Sequence, residues 1–229
     1  MISVFDAVSK TSYPGRGIVL GTTPSGRAAA AYFIMGRSQN SRNRVFAMEN
    51  GVLRTLPRDP SKVADPSLII YAAARTLGEH FIVTNGDQTD TIYETMKAGG
   101  TFENALRTRE FEPDAPNFTP RVSGMLTMRD GAFAYKLAIL KKGCGCERFF
   151  FEYEAPTPGV GHFLHTYDRG GDPLPSFTGE PEPVAIGEDF AEEIWKGLDA
   201  ANKIALFARV IDPKTGEITD KIINKPEDR

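Results

Sequence analysis

Short apolar runs separated by turn-forming residues dominate the hydrophobic pattern of this chain. The first two runs, residues 17–21 and 27–35, flank Thr22-Thr23-Pro24-Ser25-Gly26 and predict a β-hairpin. Further extended segments are predicted at residues 45–48, 67–74, 80–84, 121–127, 132–140, 148–153, 162–167, 204–211 and 217–223. Many strands joined by short turns favour sheets that are mostly antiparallel.

Helical periodicity is predicted at residues 89–98, 101–109 and 188–202. In the last segment Phe190, Ile194 and Leu198 share one face, and acidic residues fill the first turn, where the helix dipole favours them. A few helices among many strands predict an α+β layered domain. No composition break or long linker divides residues 1–229, so we expect one domain, with a polar tail that frays from about residue 221.

Composition narrows the function classes. The chain has 229 residues, a formal net charge of -3 and a pI near 5.7, which argues against binding nucleic acid through a broad basic face. No apolar stretch approaches the length of a membrane span and no signal-peptide pattern is present, so we expect a soluble, cytoplasmic protein. Cys144 and Cys146 flank one glycine and are expected to be reduced thiols, because a disulfide across one residue is strained.

The segment Gly36-Arg37-Ser38-Gln39-Asn40-Ser41-Arg42-Asn43-Arg44 is the strongest candidate for an anion site. It holds three arginines and five uncharged polar side chains without an acidic residue. Residues 1–62 contain nine Lys or Arg against three acidic residues, whereas the whole chain has 27 against 30. Arginine binds phosphate or carboxylate bidentately, and Ser or Asn can complete the hydrogen bonds. A solvated surface loop is the alternative for this composition.

Polar residues cluster again in Thr84-Asn85-Gly86-Asp87-Gln88-Thr89-Asp90, between a predicted strand and a predicted helix. Such a position directs backbone N–H groups toward a ligand, and an Asn-Gly turn with a helix cap is the alternative. The charged, proline-rich segment 107–121 lacks periodicity and can hold a carboxylate rigidly. His162 and His165 lie on opposite faces of a predicted strand without a third ligand nearby, so a metal site there is disfavoured.

Six segments of the chain, taken in order, match the pattern of a known family. They are Tyr13-Pro14-Gly15-Arg16-Gly17, Gly36-Arg37-Ser38-x-Asn40-Ser41-Arg42-Asn43-Arg44, Ser67-Leu68-Ile69-Ile70-Tyr71, Thr84-Asn85-Gly86-Asp87-Gln88-Thr89-Asp90, Thr119-Pro120-Arg121 and Gly161-His162-Phe163-x-His165-Thr166-Tyr167. Together they resemble the archaeal-type inosine monophosphate (IMP) cyclohydrolase family. The resemblance implies dehydrative ring closure of 5-formamidoimidazole-4-carboxamide ribonucleotide to IMP, and a four-layer α-β-β-α fold like that of N-terminal-nucleophile hydrolases.

The resemblance also implies roles for individual residues. Arg37 would polarise the formyl oxygen, Tyr71 would relay a proton, and Glu112 would act as the base or position the carboxamide. The implied substrate-binding residues are Arg16, Ser38, Asn40, Arg42, Arg44, Asn85, Asp87 and Arg121. Because the ring closure is intramolecular, we expect no cofactor and no metal. The segment Gly21-x-x-x-x-Gly26 resembles the start of a nucleoside-triphosphate-binding loop. Arg27-Ala28 follows it in place of the required Lys-Ser/Thr, so the sequence gives no support for ATP as a cofactor.

Several alternatives stay open at this point. Glu103 and Glu110 lie close to Glu112 and compete with it for the role of catalytic carboxylate. Tyr71 can instead be an interior tyrosine whose hydroxyl is satisfied within the protein. The chain can also be an amidohydrolase of another formamide or cyclic amide, or a non-catalytic module that binds a purine nucleotide. A homo-oligomer with a site shared between subunits is compatible with the sequence.

Overall fold

Two β-sheets of seven strands each form the framework of the protein. The computed structural model describes residues 1–63 and 70–226. The strands are β1 (Ile2–Ser3), β2 (Arg16–Thr22), β3 (Ala28–Met35), β4 (Arg44–Glu49), β5 (Val52–Pro57), β6 (Tyr71–Leu77), β7 (His80–Thr84), β8 (Arg121–Arg129), β9 (Ala132–Lys142), β10 (Cys146–Tyr153), β11 (Val160–His165), β12 (Glu182–Ala185), β13 (Lys203–Ile211) and β14 (Ile218–Asn224). The helices are α1 (Val4–Ser9), α2 (Gln39–Arg42), α3 (Gln88–Lys97), α4 (Phe102–Arg107) and α5 (Phe190–Gly197), with a 3-10 turn at Pro60–Lys62.

The strand order is β1-β12-β11-β2-β3-β13-β14 in the first sheet and β10-β9-β8-β7-β6-β5-β4 in the second. Among the described strand pairs, only β1 with β12 is parallel. Antiparallel pairing brings the start of one strand beside the end of its neighbour. The starts of β2, β4, β6 and β8 therefore lie with the ends of β3, β7 and β11 at one end of the sheets, called here the cavity end. The β2–β3, β6–β7, β8–β9 and β13–β14 turns lie at the opposite end, called here the turn end.

The apolar side chains pack in three clusters. The largest lies between the sheets and includes Ile18 and Tyr32 from the first sheet and Leu137 from the second. Helices α1 and α5 cover the outer face of the first sheet, where Ile194 is fully buried. Helices α3 and α4 cover the outer face of the second sheet, where Phe102 is buried. Strand side chains alternate between two faces, so each sheet contributes to the central cluster and to one outer cluster.

The predicted α+β class with mostly antiparallel sheets is confirmed, and the predicted first hairpin forms β2 and β3. Of the strand predicted at residues 67–74, residues 67–69 lie outside the described residues, and the described strand β6 begins at Tyr71. The predicted fraying from about residue 221 is wrong for residues 221–224, which pair with β13 as the end of β14. Their hydrogen bonds follow from an available neighbour strand, which a polar composition does not reveal.

Helix lengths differ from the sequence predictions. The helix predicted at residues 188–202 is shorter, because α5 ends at Gly197 and Leu198 is extended with ψ 136. Helices α1 and α2 were not predicted, since six and four residues are too few for helical periodicity to show. Among the described helices, none combines the length and the apolar character that crossing a bilayer requires.

Candidate functional site

A cavity of about 240 Å³ opens at the cavity end. Its wall is built by the start of β2, the end of β3, the segment 36–44, the loop 108–120 and the loop that follows β11. These pieces are distant in sequence, and the antiparallel order of both sheets brings them together. The cavity therefore combines residues from three of the segments that carried the sequence resemblance.

A buried ion pair lies at the bottom of this cavity. Arg16 begins β2 and shares the inner face of the strand with Ile18. Its Nη2 donates to Oε2 of Glu112 at 3.0 Å, and its Nη1 donates to the carbonyl oxygen of Asn85 at 3.4 Å. Arg16 is 8% exposed and Glu112 is 3% exposed, although both line the cavity. The pair thus faces a ligand space while it is shielded from bulk water.

The environment of the pair sets its protonation. Burial raises the pKa of Glu112, and the charges of Arg16 and Arg121 oppose this shift without cancelling it. Burial opposes the charge of Arg16, but Glu112 and the nearby phenols of Tyr71 and Tyr167 help raise its pKa above the ordinary value. Arg16 therefore stays charged, and Glu112 is a stronger base than an exposed glutamate.

Two further guanidinium groups line the cavity. Arg44 is 4% exposed, and it donates from Nε to the Ser41 carbonyl at 2.8 Å and from Nη2 to the Met35 carbonyl at 3.1 Å. Arg37 is exposed at the cavity mouth, and its Nη2 donates to the Gly171 carbonyl at 3.0 Å. In the described part of the chain, neither arginine forms an ion pair with a carboxylate. Carbonyl groups carry only partial charges, so the cavity keeps a positive potential that favours an anion.

Tyr71 does not line the cavity and lies deeper, in the cluster between the sheets. It is 4% exposed, and its hydroxyl is 2.7 Å from the hydroxyl of Tyr32. Burial raises the pKa of Tyr32 well above its ordinary value, and the adjacent Tyr71 adds to this shift. Both phenols contribute to the raised pKa of Arg16, so they lie within electrostatic reach of the ion pair. The structure places Tyr71 behind Arg16.

Three predicted substrate-binding residues have their side chains occupied by protein groups. Asn85 is fully buried, donates to the Pro120 carbonyl at 2.9 Å and accepts from Gln88 and from the Val122 N–H. Arg121 donates from Nη1 to Asp87 and Gln88, each at 2.7 Å. Asp87 also accepts from Arg109, and the described cavity wall includes none of the three. They support the ion pair from behind, since the Asn85 carbonyl accepts from Arg16.

The residues of the arginine-rich segment 36–44 do not all face the same cavity. Ser38 lines the cavity and caps α2, where its side chain accepts from the Ser41 N–H at 3.1 Å. Asn40 does not line the cavity, and its buried Oδ1 has no hydrogen-bond partner among the described residues. Arg42 donates from Nε to the Gly36 carbonyl at 3.2 Å and lines a different cavity. Arg42 therefore lies apart from Ser38 and Ser41, which line the first cavity, and the linear sequence does not show this separation.

The structure distinguishes the three candidate carboxylates. Glu103 lies in α4 on the outer face of the second sheet and pairs with Lys136 at 2.7 Å. Glu110 is exposed, and only its backbone carbonyl is bonded to Arg121. Glu112 is the one that lines the cavity, and its N–H donates to the Thr119 carbonyl at 2.9 Å. That backbone bond fixes the loop and aims the Glu112 carboxylate at Arg16.

The histidines and cysteines lie outside the cavity wall. His162 stacks on Tyr153 with ring centroids 3.8 Å apart, whereas His165 stacks on Phe163, so the two imidazoles occupy opposite faces of β11. Cys144 and Cys146 are free thiols. Within residues 1–63 and 70–226, no group of three or more His, Cys, Asp or Glu side chains is arranged to hold a metal ion.

Sequence reasoning missed the aromatic wall of the cavity. Tyr13 and Tyr167 are stacked with centroids 6.0 Å apart, and the Arg37 guanidinium lies 4.8 Å from the centroid of the Tyr13 ring. The Tyr167 hydroxyl is 2.5 Å from Oγ1 of Thr119, and burial raises the pKa of Tyr167 to about 12. Tyr13 lies in segment 13–17 and Tyr167 in segment 161–167. Both segments carried the family resemblance, so the sequence did offer a reason to consider these tyrosines as site residues. Asn117 also lines the cavity and gave no sequence signal of its own.

Comparison with known proteins identifies one family. A sequence model of the family described as IMP cyclohydrolase-like protein matches residues 13–217. The chain is similar to the IMP cyclohydrolase of Methanopyrus kandleri, with 28% identity over 159 residues, which cover 68% of this chain and 75% of that protein. It is 34% identical over 126 residues to the IMP cyclohydrolase of Methanococcus maripaludis strain C7, covering 53% of this chain and 61% of the relative. The second match therefore spans less than two thirds of the relative's length.

Proposed function

The chain belongs to the IMP cyclohydrolase-like family, and from this membership we propose that it closes the ring of 5-formamidoimidazole-4-carboxamide ribonucleotide to form IMP in purine biosynthesis. One observation carries the proposal to specific residues. The buried Arg16–Glu112 ion pair shares a cavity with Arg37 and Arg44, neither of which has a carboxylate partner among the described residues. A nucleotide with a phosphate at one end and a neutral amide at the other has the charge distribution that this cavity complements.

The phosphate is assigned to the side of the cavity where Arg44 lies. Arg44 is held by two backbone carbonyls, so its guanidinium is oriented before the ligand binds. Ser38 and Ser41 line the same side, where the Ser38 hydroxyl donates to Ser41 Oγ and the Ser41 hydroxyl donates to the Ser38 carbonyl. A buried, oriented guanidinium matches the oxygens of a phosphate monoester. Arg16 contributes positive charge from below while it keeps its bond to Glu112.

The reaction requires a base near the carboxamide and a positive charge near the formyl oxygen. The carboxamide nitrogen loses one proton as it bonds to the formyl carbon, and the formyl oxygen gains a proton to become a hydroxyl. This hydroxyl then leaves as water with the proton of the formamide nitrogen, as the ring C=N bond forms. We assign proton removal to Glu112, whose raised pKa suits a base, and stabilisation of the oxygen to Arg37.

We propose that Tyr71 relays a proton indirectly. Its hydroxyl is bonded to Tyr32 and lies outside the cavity wall, so the relay passes through the space behind Arg16. The reacting groups belong to one molecule, so holding them in contact supplies much of the acceleration, and we propose no cofactor. We further propose that residues 1–229 form one four-layer α-β-β-α domain, like that of N-terminal-nucleophile hydrolases, and that it acts in the cytoplasm. The outer helix layers on both sheets support this fold assignment.

The test is to incubate the purified full chain with the formamido nucleotide and to follow IMP formation by absorbance and chromatography. Wild-type protein should form IMP, and Arg37→Ala and Tyr71→Phe should each lower turnover. Release of formate without ring closure would identify an amidohydrolase instead. IMP binding without turnover would identify a non-catalytic nucleotide-binding protein. Either result would overturn the proposed reaction.

A further inference from the structure

Tyr167 lies in the wall of the candidate site, and its ring is held in one position. It follows β11, is 5% exposed and stacks on Tyr13 with ring centroids 6.0 Å apart. A Cβ atom at Gly15 would lie 2.4 Å from Cδ2 of Tyr167, so the absence of a side chain at Gly15 lets the ring pack closely against it. The place of the phenol oxygen is therefore set by the fold.

A chain of hydrogen bonds fixes the direction of the Tyr167 proton. Oγ1 of Thr119 donates to Oδ2 of Asp114, and the Thr119 N–H donates to Oδ1 of the same carboxylate at 2.7 Å. A threonine hydroxyl has one proton, so Oγ1 of Thr119 acts as the acceptor toward the Tyr167 hydroxyl, 2.5 Å away. Burial raises the pKa of Tyr167 to about 12, so the phenol keeps its proton at neutral pH. The proton is engaged by Thr119, and the lone pairs of the phenol oxygen are left for a ligand.

The phenol oxygen shares its surroundings with the buried ion pair. Burial has the largest effect on the pKa of Tyr167, and after it the charge of Arg16 lowers that pKa and the charge of Glu112 raises it. Tyr167, Arg16 and Glu112 all line the cavity. The cavity therefore offers two acceptors in one neighbourhood: a carboxylate, and a phenol oxygen whose own proton is engaged elsewhere.

We propose that Tyr167 is a specificity-determining residue that accepts a hydrogen bond from the carboxamide nitrogen of the substrate. The inference rests on the proposed function for the identity of the ligand. A carboxamide NH₂ group has two protons: Glu112 removes one, and the other stays on the nitrogen that becomes N1 of IMP. Tyr167 accepts from the proton that stays and so orients the amide while Glu112 acts on the other. Thr119 and Asp114 are positioning residues, because they hold the Tyr167 proton.

This orientation predicts which ligands the site rejects. IMP carries a proton on N1, whereas AMP has a lone pair there that would face the lone pairs of Tyr167. A nucleotide with a carboxylate in place of the carboxamide would also present only acceptors. A buried acceptor that is left without a donor costs roughly 5- to 150-fold in Kd. The site should therefore select nucleotides that bear an amide N–H.

The test measures the Kd of IMP and of AMP for the full chain by isothermal titration. The two ligands also differ at C6, so the quantity compared between variants is the ratio of the AMP Kd to the IMP Kd. Wild-type protein should bind IMP at least about fivefold more tightly. Tyr167→Phe should lower the ratio at least about fivefold, because it removes the acceptor. Thr119→Val should lower it further, because the Tyr167 proton is then available to N1 of AMP.

Two control variants should keep the wild-type ratio. Thr119→Ser retains the hydroxyl that holds the Tyr167 proton. Tyr135→Phe removes a phenol hydroxyl that is bonded to His162, and the described cavity wall does not include Tyr135. A ratio that both Tyr167→Phe and Thr119→Val leave unchanged would overturn the inference.

Binding does not require turnover, so the inference and the proposed reaction can fail separately. Wild-type protein that prefers IMP but forms no IMP from the formamido nucleotide would overturn the reaction, while the role of Tyr167 in selecting an N–H group would stand. Turnover with an unchanged ratio in the variants would overturn the role of Tyr167 alone. Wild-type protein that binds neither nucleotide would overturn both.

Discussion

Each end of the sheets has a cavity and an ion pair, and the two ion pairs differ in how far they are exposed to solvent. At the cavity end, Arg16 and Glu112 pair at 3.0 Å with side chains that are 10% and 4% exposed. At the turn end, Arg27 and Glu188 pair at 2.6 Å with side chains that are 41% and 42% exposed. Water screens the second pair, so its contribution to stability and to local potential is small. The first pair acts in a medium of low polarisability, where charge has a larger effect.

The end with the buried ion pair does not have the larger cavity. A cavity at the turn end, lined by Arg27 and Lys214 among others, is larger than the candidate site, about 450 Å³ against about 240 Å³. Its charged lining residues, which include Arg27 and Lys214, lie among exposed turns. The smaller cavity contains the buried carboxylate whose pKa is raised, and perturbed ionisable groups in a cleft mark chemical sites more specifically than volume does. Burial of charge therefore identifies the candidate site.

The largest expected difference between the two ends comes from removing one carboxylate from each. Glu112→Gln should lower the free energy of unfolding by about 3–5 kcal/mol, because it leaves the Arg16 charge buried without its partner. Glu188→Gln should cost less than about 1 kcal/mol, since the pair is exposed. Chemical denaturation of both variants measures this. Equal losses in the two variants would show that the ends do not differ in electrostatics.

Arginine substitutions compare the two ends through activity. Arg37→Ala should lower kcat/KM of the proposed cyclisation by roughly 10²–10³, the usual cost of removing one oxyanion donor. Arg27→Ala should leave kcat/KM unchanged, because Arg27 lies at the turn end. Both arginines are solvent-accessible, so we expect similar melting temperatures. Steady-state kinetics on both variants checks this, and a matching loss in Arg27→Ala would remove the distinction.

His165 should make the stability of the cavity end depend on pH. Burial lowers the pKa of His165 to about 4, although the hydrogen bond between its Nδ1 and the Tyr167 carbonyl acts in the opposite direction. The unfolded chain takes up a proton below its ordinary pKa near 6.5 and the folded chain does not, so stability falls as pH falls from 6.5 toward 4. The loss between pH 7 and pH 5 should be about 2 kcal/mol.

The measurement is urea denaturation across that pH range, with His165→Gln beside wild type. The variant should lose less stability on acidification, because glutamine does not titrate. His80→Gln is the control at the turn end, where His80 is only half-buried and burial lowers its pKa. If the free energy of unfolding depends on pH in His165→Gln as it does in wild type, the acid sensitivity belongs to groups other than His165.

The smallest expected difference concerns two buried phenols. Tyr71→Phe and Tyr135→Phe each remove a hydroxyl with one partner, Tyr32 at 2.7 Å and His162 at 2.8 Å, so each should cost about 1 kcal/mol of stability. Tyr71→Phe should also lower kcat about tenfold or more and change the pH profile, if Tyr71 relays a proton. Tyr135→Phe should keep kcat. Equal kcat in both variants would make Tyr71 a structural residue.

Local pattern was sufficient for much of the fold. The two apolar runs that flank the turn at residues 22–26 predicted β2 and β3, and the apolar face of Ile194 and Phe190 predicted α5. These elements follow from neighbouring residues, so their signal is present in a short window. The short helices α1 and α2 gave no such signal, and the pairing of β14 depends on a neighbour that local sequence does not specify.

The candidate site was predictable in its residue types and less so in its geometry. Arg37, Arg44 and Glu112 were named from the sequence and line one cavity. Arg42 was named with them and lines another cavity, where its Nε donates to the Gly36 carbonyl. Asn85, Asp87 and Arg121 were named as ligand contacts, yet their side chains are hydrogen-bonded to other groups of the protein, and Arg121 bonds directly to Asp87.

The sequence by itself determined the strand pattern, the local excess of arginine and the family to which the chain belongs, because these depend on residue identity and order. Only the tertiary structure decided that Glu112, and not Glu103 or Glu110, is buried against Arg16. Burial and the pKa of a carboxylate depend on atoms that are distant along the chain, and the antiparallel sheets bring those atoms together.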